Sequence, residues 1–257
     1  MRPIWTGSVG FGLVNIPVKM YPATQSSTLD LDMLDRKDLS NIRFRRVNES
    51  TGKEVEWENI VKGYKLENEE YVVLTNKDFE QAAAEKNKLI EITEFVDPGE
   101  IDPIYYETPY YLAPDKSGER AYVLLREALL KAGKVGVALF VMRSKETLAI
   151  LRAREDVIVL NRIRFEEEIR STKELDLPAK STVKPAELKM AITLINELSG
   201  EFDISKYKDT YTAELMKLVK ARAKGTKYKR PKLRLVHSKS EDLMDQLKAS
   251  LKHRKAS

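Results

Sequence analysis

The sequence predicts an α+β fold in which a β-barrel or sandwich is followed by helices. Two observations support this prediction. The first two thirds of the chain contain short segments in which apolar and polar residues alternate, which is typical of half-buried strands. After Pro178 the apolar residues recur with a helical period instead. Many strands with few helices in one stretch of this length are typical of a barrel or sandwich with insertions.

The strand candidates follow one another along the chain. The first covers residues 10–21, where Val14, Ile16, Val18 and Met20 fall on one side. Residues 42–47 alternate as well, and a turn at residues 50–52 leads into residues 53–57, which predicts a charged hairpin. The further candidates are residues 71–75, 88–96, 110–113, 135–143, 147–153 and 157–163.

Two helices are predicted among the strands, at about residues 75–85 and about residues 120–132, where Gly133 is a suitable C-cap. A third helix begins at Pro185, a favoured first position, and a fourth covers about residues 209–224. Residues 240–251 are predicted to form a short amphipathic helix with one leucine stripe. Because such a short helix is marginal in water, we expect it to fold on a partner.

Charge is distributed unevenly along the chain. Residues 217–257 contain 14 Lys and Arg against 3 Asp and Glu, whereas residues 1–216 contain 31 against 37. A strongly basic tail on a mildly acidic body is typical of proteins that bind polyanions. The plainer alternative is a tail that only aids solubility. Another is a membrane-surface or ligase scaffold in which the basic tail does all the polyanion binding.

The composition excludes several kinds of chemistry. There is no cysteine, which rules out disulfides, thiolate catalysis and Cys-ligated zinc. Both histidines, His237 and His253, lie in the tail, so the body has no Ser-His-Asp triad. We therefore predict a non-enzymatic binding protein with no cofactor and no metal, located in the cytoplasm. A metal-dependent nuclease built on scattered Asp and Glu residues remains the alternative.

A basic segment lies between residues 36 and 65, with eight basic against five acidic residues. In a strand, Arg43 and Arg45 lie on one face, where arginine forks reach phosphate oxygens without contacting base edges. A charged edge hairpin that prevents aggregation explains the same residues equally well. The candidate DNA contacts are Arg36, Lys37, Arg43, Arg45, Arg46, Lys53, Lys62 and Lys65.

Five segments resemble the prokaryotic Ku family in order and spacing. They are RPIWTGSVGFGLVNIPVK at residues 2–19, IRFRRV at 42–47, YVLLR at 122–126, VKPAELKMA at 183–191 and YKDTY at 207–211. The resemblance covers about residues 1–220. It departs from the family at the predicted hairpin turn, where some members have a cysteine pair and this chain has residues 48–52 without cysteine.

The resemblance implies a Ku-type β-barrel core with a bridge excursion, followed by a helical C-terminal arm and a short basic tail. The corresponding domains are residues 1–180 with the bridge at about 30–90, residues 181–224 for dimerisation, and residues 225–257. Two chains would form a homodimeric ring around double-stranded DNA ends in non-homologous end joining, in association with the bacterial nucleoid.

The resemblance also implies particular contacts. The bridge contains the Arg43 and Arg45 hairpin, which favours DNA contact there. Arg143 and Lys145, in the turn between two barrel strands, are further candidate DNA contacts. The C-terminal segment implies docking of the multifunctional DNA ligase D, and the candidate docking residues are Leu243, Leu247 and Leu251.

Overall fold

The computed structural model describes residues 1–82, 88–143, 145–177 and 184–228, together with the tail positions 246, 247 and 250. The chain divides into two compact units. The first consists of Met1–Ser26 and Asp30–Ser171, and the second of Ser27–Leu29 and Thr172–Ser257. Within the described stretches, no helix is both long enough and apolar enough to cross a bilayer.

Seven strands close into a barrel, which confirms the predicted α+β fold with a barrel core. The strands of the described chain are β1 (Trp5–Phe11), β2 (Val14–Pro22), β3 (Lys62–Lys65), β4 (Tyr71–Leu74), β5 (Leu89–Val96), β6 (Tyr106–Pro114), β7 (Val135–Met142), β8 (Lys145–Arg154) and β9 (Val157–Ile163). Strands β3 and β4 pair with each other, and the others close in the order β1-β2-β6-β9-β8-β7-β5. Only β1 and β5 pair in parallel in this barrel. Closure leaves the barrel sheet without an open edge.

The helices lie close to their predicted positions. They are α1 (Asn76–Ala82), α2 (Glu119–Ala132), α3 (Pro185–Leu198) and α4 (Thr210–Ala223). Gly133 ends α2 with a φ of 62°, which confirms the predicted C-cap. The Asp209 carboxylate accepts a hydrogen bond from the backbone N–H of Thr212 at 3.1 Å and so caps the start of α4. Residues 83–85, the end of the first predicted helix, lie outside the described residues.

Alternation along the strands builds the core. Ile16, Val18 and Met20 are buried on β2, as their period-2 spacing predicts. Leu112 of β6 and Leu160 of β9 are fully buried in the same cluster. The barrel is therefore filled with side chains and is not an open channel.

Helix α2 fills one end of the barrel. Its buried face consists of Tyr122, Leu125 and Leu129, which belong to the core cluster. The Tyr122 hydroxyl donates to the Leu112 carbonyl and accepts from the Ile158 N–H, both at 2.7 Å. Burial raises the pKa of this hydroxyl above its ordinary value. The tyrosine thus joins α2 to two barrel strands.

Two strand predictions differ from the structure. The candidate at residues 10–21 is interrupted, because Gly12 has a φ of 58° and turns the chain from β1 into β2. Residues 42–47 and 53–57 do not form full strands. Their pairing is limited to an isolated bridge between Val47 and Glu54. The predicted hairpin exists as a turn with one bridge.

The second unit exposes an apolar helix face. On α3, the exposed apolar residues are Leu188, Ile192, Ile195 and Leu198. None of the residues of α3 or α4 is buried. In the predicted tail helix, Leu247 is helical and half-buried, while Leu243 and Leu251 lie outside the described residues.

Candidate nucleic-acid interface

A long excursion, residues 24–82, leaves the barrel between β2 and β5 and contains β3, β4 and α1. From residue 24 to residue 79, every residue is described and none is buried. Phe44 is 80% exposed and Trp57 is 68% exposed. Since burial of apolar surface is what normally orders a chain segment, the excursion offers its surface to other molecules.

A tight turn organises the basic part of the excursion. The Asn48 side-chain oxygen accepts hydrogen bonds from the N–H groups of Ser50 and Thr51, both at 3.0 Å. Gly52 has a φ of 65° and donates its N–H to the Asn48 carbonyl at 2.8 Å. Asn and Gly are suited to these positions because one bonds its own backbone and the other tolerates left-handed φ.

The two arginines singled out from the sequence differ in their surroundings. The Arg45 Nη1 atom lies 3.0 Å from the Glu54 Oε2 atom across the hairpin. Both side chains are largely exposed, at 75% and 49%. Arg43 forms no ion pair with any part of the chain that the structure describes. Its guanidinium is therefore available to an external anion, whereas that of Arg45 is shared with a carboxylate.

Other basic side chains of the excursion lie over aromatic rings. The Arg46 guanidinium is 4.5 Å from the centre of the Trp57 ring, and the Lys62 ammonium is 4.8 Å from that of Phe79. A cation over an aromatic face keeps its charge, and the ring fixes its position. Lys65 forms an exposed ion pair with Glu69 at 3.4 Å. The sequence prediction included the cations but missed Trp57 and Phe79 as their supports.

Arg36 and Lys37 lie in a second tight turn. The Lys37 N–H donates to the Asp35 side chain at 2.7 Å, and Leu34 bridges to Asn41. Neither cation forms an ion pair within the described chain, and the same holds for Lys53. These three join Arg43 as unpaired positive charges of the excursion.

A second group of cations lies at one end of the barrel and is separate in sequence from the excursion. Arg143 occupies the turn between β7 and β8 with a φ of 53°, and Lys145 begins β8. The Lys145 Nζ atom lies 3.4 Å from the Glu168 Oε1 atom. Arg162 of β9 lines the same cavity as these two residues. Arg162 was missed from the sequence, although it follows Leu160 at the period-2 spacing that indicates an inward position.

Comparison with known proteins identifies the family. The family model described as the Ku70/Ku80 beta-barrel domain matches residues 10–190. This range includes all seven barrel strands except the first residues of β1. The chain belongs to the Ku family.

Relatives of this Ku-family chain span bacteria and archaea. It is 44% identical to the non-homologous end joining protein Ku of Cupriavidus necator, over 84% of this chain and 65% of that protein. Identity to the protein of the same name from Coxiella burnetii is 41%, over 88% of this chain and 84% of the relative. That from Archaeoglobus fulgidus is 40% identical, over 98% of both chains. The resemblance seen in the sequence motifs is thereby confirmed.

The candidate residues of this Ku-family chain fall into three sets. Those of the excursion are Arg36, Lys37, Arg43, Arg45, Arg46, Lys53, Lys62 and Lys65. Those of the barrel turn are Arg143 and Lys145, and those of the tail are Leu243, Leu247 and Leu251. Among the described residues, no three His, Asp or Glu side chains are grouped as metal ligands would be. The contacts made by all three sets remain predictions.

Proposed function

We propose that this chain binds the ends of double-stranded DNA as a homodimeric ring and acts in non-homologous end joining without catalysing a reaction itself. Membership of the Ku family and the similarity to non-homologous end joining proteins support a role in end joining. The observation that carries the proposal is the excursion, which buries no residue from 24 to 79 and bears unpaired cations. A location in the cytoplasm, in association with the nucleoid, is part of this proposal.

The cations of the excursion suit contact with the phosphate backbone. Arginine forks match phosphate oxygens in pairs, and such contacts carry no base information. We therefore expect sequence-independent binding that weakens steeply with salt. With about 6–10 neutralised phosphates, affinity falls roughly 10³–10⁵-fold between about 50 and 200 mM salt.

We propose that a second copy of the chain covers an apolar surface that the single chain leaves exposed. The apolar face of α3 is exposed, and Ile195 is 62% exposed. Monomeric soluble proteins rarely leave such a contiguous apolar stripe uncovered, and helices commonly cover it by isologous pairing in a twofold dimer. We propose that this face contributes to the dimer interface, so that basic residues of two excursions converge on one duplex and raise the local potential.

Recruitment of a multifunctional DNA ligase D is the final part of the proposal. Leu247 lies on a helical, half-buried part of the tail, and Leu243 and Leu251 share its predicted stripe. A short amphipathic helix binds by laying its apolar face into a groove of a partner. Truncation after Lys224 should therefore reduce stimulation of the ligase more than it reduces end binding.

A comparison of linear and circular DNA tests the proposal. The same duplex sequence is offered as a blunt linear fragment and as a covalently closed circle, at matched salt, and binding is measured by gel shift. A ring threads only over an end, so we expect strong binding to the linear form alone. Equal binding to both forms contradicts threading and leaves an open, tail-driven contact.

Two controls complete this experiment. Labelled linear duplex incubated with Mg²⁺ or Mn²⁺ must remain uncut, because cleavage would establish the nuclease alternative. The double variant Ile192→Glu with Ile195→Glu places charges in the proposed dimer face. Sedimentation should show that this variant is a monomer, and the gel shift should show that it no longer binds linear DNA. An unchanged dimer would contradict the assignment of α3.

A further inference from the structure

The end of the barrel opposite α2 contains a small polar cavity. Helix α2 bonds to Leu112 and Ile158, which pair with each other at one end of β6 and β9. The cavity lies at the other end of these strands. The strand pairing brings the β7–β8 turn and Ile163 of β9 together at that end. It has a volume of about 230 Å³, and at about 30 Å³ per water molecule it has room for a small anion with its hydration.

Polar side chains replace apolar ones on the inward face of the strands at this end. On β8, Thr147 has the same inward register as Ala149 and Leu151, and it is 5% exposed. On β9, Arg162 follows Ile158 and Leu160 in the same register. A guanidinium therefore occupies a position that the pattern of the core would give to an aliphatic side chain.

Arg162 is only partly satisfied by the protein. Its Nη2 atom lies 3.1 Å from Glu107 Oε2, and Arg164 Nη2 lies 2.7 Å from the other oxygen of the same carboxylate. The Arg162 Nε atom is buried and has no hydrogen-bond partner in the described chain. Buried donors normally have an acceptor, so this N–H indicates an acceptor supplied from outside the protein.

The surrounding charges are predominantly positive. Arg143 and Lys145 line the cavity together with Arg162, and Arg143 forms no ion pair within the described chain. Two carboxylates face this group: Glu107, shared by two arginines, and Glu168, at 3.4 Å from Lys145. The carboxylates offset part of the charge of the four cations, and the remaining excess favours an anion.

We propose that this cavity, the barrel-mouth pocket, binds a single phosphate group. Arginine Nε and Nη groups form the fork that matches phosphate oxygens, and lysine adds a point charge. The same chemistry is offered by the terminal phosphate of a DNA strand and by dissolved phosphate. The pocket does not depend on the proposed ring, because dissolved phosphate tests it without DNA.

The first experiment titrates the full chain with inorganic phosphate and measures its melting temperature, with sodium chloride at matched ionic strength as the control. A ligand that binds only the folded state raises the melting temperature in a saturable way. Trp5 gives a local readout, since its indole donates to the Val141 carbonyl at 3.3 Å beside the turn. The Trp57→Phe variant isolates its fluorescence, because the chain has two tryptophans.

Matched variants separate the pocket from general charge. Arg143→Asn removes the cation but keeps a residue that tolerates the left-handed φ of the turn. Combined with Lys145→Gln, it should weaken phosphate binding about ten- to a hundredfold, as loss of charged hydrogen bonds does. Arg154→Gln removes one cation from the opposite end of β8 and should change nothing. A saturable phosphate effect that survives in the double variant, or no such effect in the wild type, overturns the proposal.

A second experiment identifies the source of the phosphate. Binding of blunt duplex with 5′-phosphate is compared with binding of the 5′-hydroxyl form, for the wild type and the double variant. A preference for the phosphorylated end that the double variant loses assigns the pocket to DNA ends. An unchanged preference, with phosphate-dependent melting lost, assigns it to dissolved phosphate. Strong end binding by a wild-type protein whose melting temperature does not respond to phosphate contradicts the pocket and leaves the proposed function intact.

Discussion

Neutralising Glu54 tests whether the excursion contacts DNA phosphates. The Arg45 Nη1 atom is held 3.0 Å from Glu54 Oε2, so the arginine is shared with a carboxylate in the free chain. Glu54→Gln keeps the size of the side chain and releases the guanidinium. Because both side chains are largely exposed, the ion pair stabilises the fold by at most about 1 kcal/mol. The variant should therefore fold normally and bind DNA more tightly.

The size of the effect follows from counterion release. Each additional neutralised phosphate steepens the logarithmic dependence of affinity on salt by about 0.9. The proposed homodimer would have two such positions, which gives about 1.8 in total. Over a fourfold change in salt, from about 50 to 200 mM, a slope difference of 1.8 is about a twelvefold difference in affinity. The ratio of variant to wild-type affinity should thus be about tenfold larger at the lower salt.

Fluorescence anisotropy with a blunt, labelled duplex measures this ratio over the same salt range. Glu49→Gln is the matched control, since it removes a carboxylate from the same turn. The Glu49 side chain forms no ion pair in the described chain. Arg43→Gln should weaken binding more than Arg45→Gln, because Arg43 has no carboxylate partner in the described chain. If Glu54→Gln behaves like Glu49→Gln, or if its salt slope is unchanged, Arg45 does not contact phosphate.

Three further predictions concern the barrel. Tyr122→Phe removes the hydroxyl that bonds the Leu112 carbonyl and the Ile158 N–H. At about 1–3 kcal/mol for each buried group, denaturant unfolding should show a loss of roughly 2–6 kcal/mol. Burial raises the pKa of Tyr122 above its ordinary value of 10.0. The neutral hydroxyl therefore contributes to the free energy of unfolding at lower pH, and this contribution is lost as the pH rises through the folded-state pKa. Alkaline unfolding of the wild type should show this pH-dependent loss of stability, and Tyr122→Phe should lack it. Gly7→Ala places a Cβ 2.2 Å from the Lys88 carbonyl oxygen and should lower the melting temperature, whereas Gly99→Ala meets nothing within 4 Å and should not.

Elements that are specified locally could be predicted from the sequence. Strand β9 and helix α3 were predicted at nearly their observed bounds, because alternation and helical spacing are properties of neighbouring residues. The β1–β2 hairpin was missed because its tip contains Leu13, an apolar residue that is fully exposed. An apolar residue at the tip hides the polar signal that turns usually carry, so the sequence does not distinguish the turn from a longer strand.

The candidate site was predictable in composition but not in pairing. The density of Lys and Arg in residues 36–65 is visible in the sequence, whereas the separation of Arg43 from the paired Arg45 depends on where Glu54 lies across the turn. Arg162 was missed for a different reason. It comes after four apolar residues and Asn161 in a strand that the pattern assigns to the core, and only barrel closure places it at the cavity.

The excursion is the feature of this fold that stability alone does not explain. Ordering one residue costs about 1–2 kcal/mol of backbone entropy, and burial of apolar surface normally offsets that cost. No residue from 24 to 79 is buried, yet Leu39, Phe44 and Trp57 are large and apolar. We therefore expect part of the offset to come from contacts outside the single chain. Under the proposed function, a duplex against the cations and a second chain against the apolar side chains would supply such contacts for this Ku-family protein.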